Sequence, residues 1–286
     1  MSRAVRAVAV GTILAIAAGC GSPGGSPSAG APSAAPSVSG ASGTPGAVSG
    51  ASGAPSPSAE PDVRTVALAA LPANLRGRIP QFPPAPPAEK VTLPPGDAAA
   101  WFSRIPTTQK VAFITIDDGW EKNPLALKLF QASNVPITLF LEVNAIKDNP
   151  DYFKPLQAAG ATIEDHTISH PNLKGKSYAF QRREICGGAD QLAQYYGRRP
   201  IFFRPPGGTH DATTLRVVKD CGMKAAFYWK ETTDHGVVFY QEDKTVHPGD
   251  IILMHFRPRF VDDYLAVLNA IHKAGLTPAC LEDYIP

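Results

Sequence analysis

Five times between Phe130 and Ala279 the same local pattern returns: a helix-like segment closes on a small residue that tolerates a left-handed backbone, and an apolar strand follows. It reads FQASNVPITLFL from Phe130, LQAAGATIE from Leu156, QYYGRRPIFF from Gln194, KDCGMKAAFYW from Lys219 and HKAGLTPA from His272. Gly or Asn just past a helix end is what a left-handed cap uses. Helix–cap–strand units in series predict an α/β architecture with a mainly parallel sheet. Adding Val111–Ile116 and Asp250–Met254 gives about seven strands, the others being Pro136–Leu141, Ala161–Glu164, Pro200–Phe203, Lys224–Trp229 and Leu276–Ala279. Such a set forms an incomplete (β/α) barrel or an open doubly wound sheet. Lys230–Pro248 is polar without a clear helix and is expected to be a loop or small hairpin over one end.

The residues able to do chemistry fall at the C-terminal ends of these strands. VAFITIDDG, from Val111, reads as a buried strand that stops abruptly at Asp117 and Asp118. Two charges at the end of a core strand call for a cation, although Asp-Asp-Gly also suits a plain turn. His166 and His170 follow the third strand in EDHTISH, Arg204 follows the fourth in FFRPPGG, Trp229 ends the fifth, and His255 ends the sixth in IILMHF. In a parallel barrel these positions share the face on which active sites lie.

His166 and His170 are four apart. On a helical turn that spacing brings both rings to one metal ion, though such a pair is often structural. The Glu of H-E-x-x-H is missing, which argues against a zincin-type protease. Asp117-Asp118 can supply both a third ligand and a base. Two His and one carboxylate leave positions open for water and substrate, and a metal there would activate water and polarise a carbonyl. The ligands suit zinc, and cobalt, manganese or nickel would fit them too.

The order IDDG, HTISHPNL, FRPPGG, IILMHF resembles the polysaccharide deacetylase family, carbohydrate esterase family four, also called the NodB-homology domain. The resemblance runs from about Val111 to the C-terminus. It implies a deformed, incomplete (β/α) barrel and a divalent-metal hydrolase that removes acetyl groups from N-acetylated sugars of a peptidoglycan- or chitin-like polysaccharide. It further implies that Asp118, His166 and His170 bind the metal. Asp117 is then the base toward the attacking water, Arg204 orients Asp117, His255 protonates the leaving amine, and the Gly207 N–H faces the oxyanion. Leu253 lines the pocket for the acetyl methyl, with Trp120 and Trp229 beside the sugar. The chain departs from the family at Gly207, where a tyrosine is usual, and in WKETTDHG after the fifth strand. There Asp234 is at best a displaced partner for His255, and Asp250 falls at the other end of its strand. A weakened acid relay keeps two alternatives open: an O-acetyl esterase on xylan-like glycan, and a non-catalytic glycan-binding lipoprotein.

The N-terminal residues lead us to expect that this domain is exported. Arg3 and Arg6 precede the uncharged run Ala7–Ala18, which is too short for a bilayer span of roughly 20 residues and has the layout of a secretory signal. Ala17-Ala18-Gly19-Cys20 resembles a lipobox, so Cys20 is expected to carry a lipid anchor at the outer face of the cell membrane, the alternative being a free secreted product. Residues 21–60 are nearly all Gly, Ser, Pro and Ala, a disordered tether. Residues 61–109 form a Pro-rich transition in which Leu68, Leu71, Trp101 and Phe102 have the means to pack on the domain, residues 110–286. The formal charge of +2 and the lack of a basic, aromatic-studded stripe give no support to nucleic-acid binding; a monomer acting on acetylated glycan is expected. Export permits disulfides, and Cys186 with Cys221, in consecutive predicted helices, is the first candidate pair.

Overall fold

The apolar run that begins at Val111 becomes an interior strand, and it extends past the apolar stretch to include both aspartates. The computed structural model describes residues Asp62–Pro286; the signal-like segment, Cys20 and the Gly/Ser/Pro/Ala stretch lie outside the described residues. In chain order the elements are α1 (Val63–Ala70), α2 (Ala73–Arg76), β1 (Ala100–Phe102), β2 (Val111–Asp118), α3 (Ala126–Ser133), β3 (Thr138–Leu141), α4 (Val143–Ile146), α5 (Lys154–Ala158), β4 (Thr162–Asp165), α6 (Tyr178–Tyr196), β5 (Phe202–Phe203), α7 (Ala212–Asp220), β6 (Ala225–Phe227), β7 (Glu231–Asp234), β8 (Val237–Tyr240), β9 (Ile251–His255), α8 (Phe260–Lys273) and β10 (Thr277–Pro278).

The seven expected strands are all present. The five residues of the repeated pattern, Asn134, Gly160, Gly197, Gly222 and Gly275, all take positive φ, between 51° and 99°. Each releases the chain from a helix end into the next strand. The sheet order is β1-β6-β5-β4-β3-β2-β9-β7-β8, with β10 on the start of β2. Every pairing is parallel except the β7–β8 hairpin. That hairpin occupies the stretch expected to be a loop or small hairpin, and its first strand also joins the sheet beside β9.

The sheet curls toward a barrel without closing as one. Its missing seam is spanned by a latch: an isolated antiparallel bridge joins Arg104, just after β1, to Asp250, just before β9. Arg104 Nε donates to Asp250 Oδ1 at 2.5 Å, and Ile105 N–H donates to the Gly249 carbonyl at 2.8 Å. This is a deformed, incomplete (β/α) barrel.

The Pro-rich transition segment is part of the folded unit. Leu71, Leu75 and Ile79 are buried in the same apolar cluster as β2, β9 and α8, while Trp101 and Phe102 lie in β1 opposite Ala226 and Phe227. A disulfide between Cys186 in α6 and Cys221 at the end of α7 ties two neighbouring helices together.

Candidate active site

Asp117 is the last residue of β2 with extended backbone. Thr115, two positions earlier, shares its face of the strand. Arg204, from the end of β5, reaches across to both. One Nη1 donates to Asp117 Oδ1 at 2.7 Å and to Thr115 Oγ1 at 2.8 Å. The other terminal nitrogen donates to the Tyr228 carbonyl at 3.2 Å, and the guanidinium lies 4.4 Å over the Phe140 ring. Arg204 is fully buried, as is Asp117 to within 2%. Burial pushes the Asp117 carboxyl up to about 6, with the Arg204 charge pulling it back. The result is a carboxylate that is ionised at neutral pH yet basic enough to take a proton.

Asp118 does not continue the strand. Its φ is 72°, a left-handed turn. Gly119 follows at φ 111°, where a Cβ would stand 2.6 Å from Ile146 Cγ2, so the turn is closed to larger residues. Strand alternation would send the two aspartates to opposite sides. The turn instead brings Asp118 Oδ1 to 3.5 Å and Asp117 Oδ2 to 3.7 Å from the same atom, His166 Nε2.

His166 and His170 converge without a helix. The loop after β4 turns through Thr167 (φ 73°) and His170 (φ 54°). It is pinned by Thr167 N–H donating to Asp165 Oδ1 and His170 N–H donating to Thr167 Oγ1. The ring centroids end 5.0 Å apart. His166 Nδ1 donates to the Arg204 carbonyl at 2.7 Å, which turns Nε2 into the free lone pair. Burial pushes this imidazole down to about 4, so it is neutral. His170 Nε2 stands 3.6 Å from Asp118 Oδ1.

One ligand atom each from Asp118, His166 and His170 lies within 4.8 Å of the others. Asp118 Oδ1 is buried and has no hydrogen-bond partner. A carboxylate oxygen stripped of water and facing two imidazole nitrogens is short of positive charge. A divalent cation supplies it, and the donor set fits one.

The remaining expected residues are distributed around this cluster. His255 ends β9 in register with Asp117. Its Nδ1 meets the guanidinium of Arg257, not a carboxylate. Asp234 approaches Arg257, with 3.7 Å between its Oδ1 and Nη1, and Asp250 is committed to the latch. Leu253 is buried in β9 two residues before His255, on the same face. Gly207 sits in an exposed turn with φ 60° and open space beside it. Trp229 stacks on Tyr228 at 4.0 Å and lies 5.8 Å from the Arg204 guanidinium. Trp120 stands at the rim, 59% exposed.

Four contributors escape a reading by strand ends alone. Thr115 lies inside its strand, and strand alternation, which puts it on the same face as Asp117, is the signal that finds it. Tyr228 fills the space left by Gly208, where a Cβ would lie 2.0 Å from its ring. Arg257 follows a strand end by two residues in a turn. Glu142, after β3, is 3% exposed; burial pushes it up to about 6, and it faces His170, Asp118 and the Trp120 indole.

The sequence model of the polysaccharide deacetylase family matches residues 104–226. An uncharacterised protein of Streptomyces coelicolor is 35% identical over 185 residues, covering 63% of this chain and 74% of its own length. The chain belongs to the polysaccharide deacetylase family. The match takes in Asp117, Asp118, both histidines and Arg204, and stops before β9 with His255. This deacetylase is also 27% identical over 191 residues to PdaA of Bacillus subtilis, a peptidoglycan-N-acetylmuramic acid deacetylase, covering 62% of the chain and 72% of that protein. The fold is shared with a Bacillus anthracis protein described as a CE4 family pseudoenzyme, with TM-score 0.58 and 20% identity over 66% of this chain and 70% of that one.

Proposed function

We propose that this polysaccharide deacetylase hydrolyses the acetamide of N-acetylated sugars in a peptidoglycan-type glycan, releasing acetate and the free amine. The observation that carries the reading is the Asp118–His166–His170 cradle beside the buried Asp117–Arg204 pair. Asp118, His166 and His170 hold a divalent ion, zinc being the choice most natural to two imidazoles and a carboxylate. When bound, the ion polarises the acetyl carbonyl and the attacking water. Asp117 takes that water's proton. Arg204 and Thr115 fix the carboxylate's orientation, so no reorganisation is needed when charge develops. The Gly207 turn faces the oxyanion, and Leu253 bounds the acetyl methyl. Trp120 and Trp229 offer ring faces for the sugar. His255 meets the leaving atom. The peptidoglycan class is supported by the named activity of PdaA, and a domain carried outside the cell on a lipid at Cys20, with residues 21–60 as a leash, would meet such a substrate.

A second reading, O-acetyl ester hydrolysis, is favoured by one observation, the Arg257 guanidinium on His255. An alcohol leaves more readily than an amine and needs a weaker proton donor. Both readings are tested by acetate release from a panel of N-acetylated peptidoglycan fragments, chito-oligomers and O-acetylated xylan fragments. The first predicts turnover of the N-acetylated glycans, at least 100-fold slower for Asp117→Asn. Turnover of esters alone selects the second. Glycan binding with no turnover of any of them removes both.

A further inference from the structure

The contact between Arg257 and His255 is the one place in the site where a charge sits on the side opposite to what proton donation wants. A guanidinium has donors only, and it keeps its protons in proteins. An imidazolium likewise has two donors and no acceptor. The hydrogen bond between them therefore exists only with neutral His255, and only with its proton on Nε2. A carboxylate in the same position would do the reverse, holding the proton on Nδ1 and favouring the charged ring.

We propose that Arg257 is a positioning residue that fixes His255 as the neutral Nε2–H tautomer, so that His255 offers substrate a hydrogen-bond donor and not an imidazolium. The turn after β9 makes this possible. Phe256 N–H donates to the Asp117 carbonyl at 3.2 Å and Arg257 N–H to the His255 carbonyl at 3.1 Å, which folds the Arg257 side chain back over the ring. Asp234, at the end of β7, stands 3.7 Å from the guanidinium and also 2.9 Å from His235. It thus acts on His255 only through Arg257. Every other group around the ring works in the same direction or is already engaged. Arg204 comes from β5, and His166 and His170 come from the loop after β4. Asp117, beside His255 on β2, is bonded to Arg204. Asp118 faces the two histidines, and Asp263 of α8 accepts from the Gly236 N–H. Burial and the Arg257 charge together push the His255 imidazole down to about 2, which agrees with the geometry.

The inference rests on the deacetylase reading for its meaning in catalysis, and on the contact alone for the tautomer. The test is a long-range proton–nitrogen NMR spectrum of the histidine-labelled chain, metal-free and zinc-loaded, with His255 assigned by comparison with His255→Gln. The expected result is a bare Nδ1 and a protonated Nε2, unchanged between about pH 8 and about pH 5. In Arg257→Ala, burial still holds the ring below its ordinary range, but nothing fixes the proton, and His255 is expected to show a mixture of Nδ1–H and Nε2–H forms. The amide kcat should then fall with the loss of the Nε2–H form while KM stays within about 2-fold. A wild-type spectrum with the proton on Nδ1, or with His255 titrating in that window, overturns the inference even where Arg257→Ala does not fold. Failure of every acetylated glycan to react would overturn the deacetylase reading instead and leave the tautomer result standing.

Discussion

Asp118 holds a left-handed conformation that costs a non-glycine residue on the order of 1 kcal/mol or more. That turn, at φ 72°, is what puts two adjacent carboxylates on one imidazole nitrogen. The identities of the site residues are legible in the sequence because each follows an apolar run that ends abruptly. The geometry that separates their tasks is not, since no pattern of residue types announces a left-handed aspartate. The partner of His255 is equally hidden, because Arg257 acts from beyond the strand, where period 2 no longer applies. At this scale the expected pH behaviour has a definite sign. Burial raises Asp117 to about 6 and Arg204 opposes it. The base works only when ionised, so kcat/KM should fall as pH drops through about 6, and lower still once a cation is bound nearby. A pH–rate profile whose acid limb lies well above 7 would contradict this assignment.

The helix–cap–strand units carry the fold, and they are the most legible part of the chain. A left-handed cap needs Gly or Asn, and the sequence shows it wherever the chain turns from helix to strand. The histidine pair shows the limit of spacing arguments. Four residues apart suits a helix, but Thr167 and His170 both take positive φ, and the rings meet through a pinned loop. Two glycines separate the demands of backbone and space. Gly222 is a cap at φ 79° with nothing near a built Cβ, whereas Gly208, at φ 70°, would drive a Cβ to 2.0 Å from Tyr228. Gly222→Ala should therefore cost about 1 kcal/mol from the backbone alone. Gly208→Ala should cost about 1–3 kcal/mol more, from displacement of the aromatic ring. Chemical denaturation of the two variants measures the difference, and equal losses would show that Tyr228 does not need that gap.

Across the whole molecule, an incomplete barrel needs something at its open seam, and the Arg104–Asp250 latch supplies it. Glu231, buried beside Asp250, is pushed up to about 9 by desolvation and by the neighbouring carboxylate, above an ordinary value of 4.5. The folded state thus holds a proton that the unfolded chain gives up, and stability should decline as pH rises from about 4.5 to about 9, then level off. Glu231→Gln, which keeps the shape without the titration, should flatten that decline in thermal unfolding measured across the window. A decline as steep as in wild type would place its source elsewhere. The latch draws on Arg104, from the Pro-rich transition stretch, where the sequence shows which residues have the means to pack on the domain but not where they pack. Its packing against the domain depends on contacts distant in sequence. The most direct test of the central claim, hydrolysis at the Asp118–His166–His170 centre, is acetate release from N-acetylated peptidoglycan fragments before chelation, after it, and after zinc is restored. The account predicts loss of turnover on chelation and its recovery with about one zinc per chain, a recovery absent in His166→Ala. Acetate release that persists at full rate in the metal-free protein would contradict it.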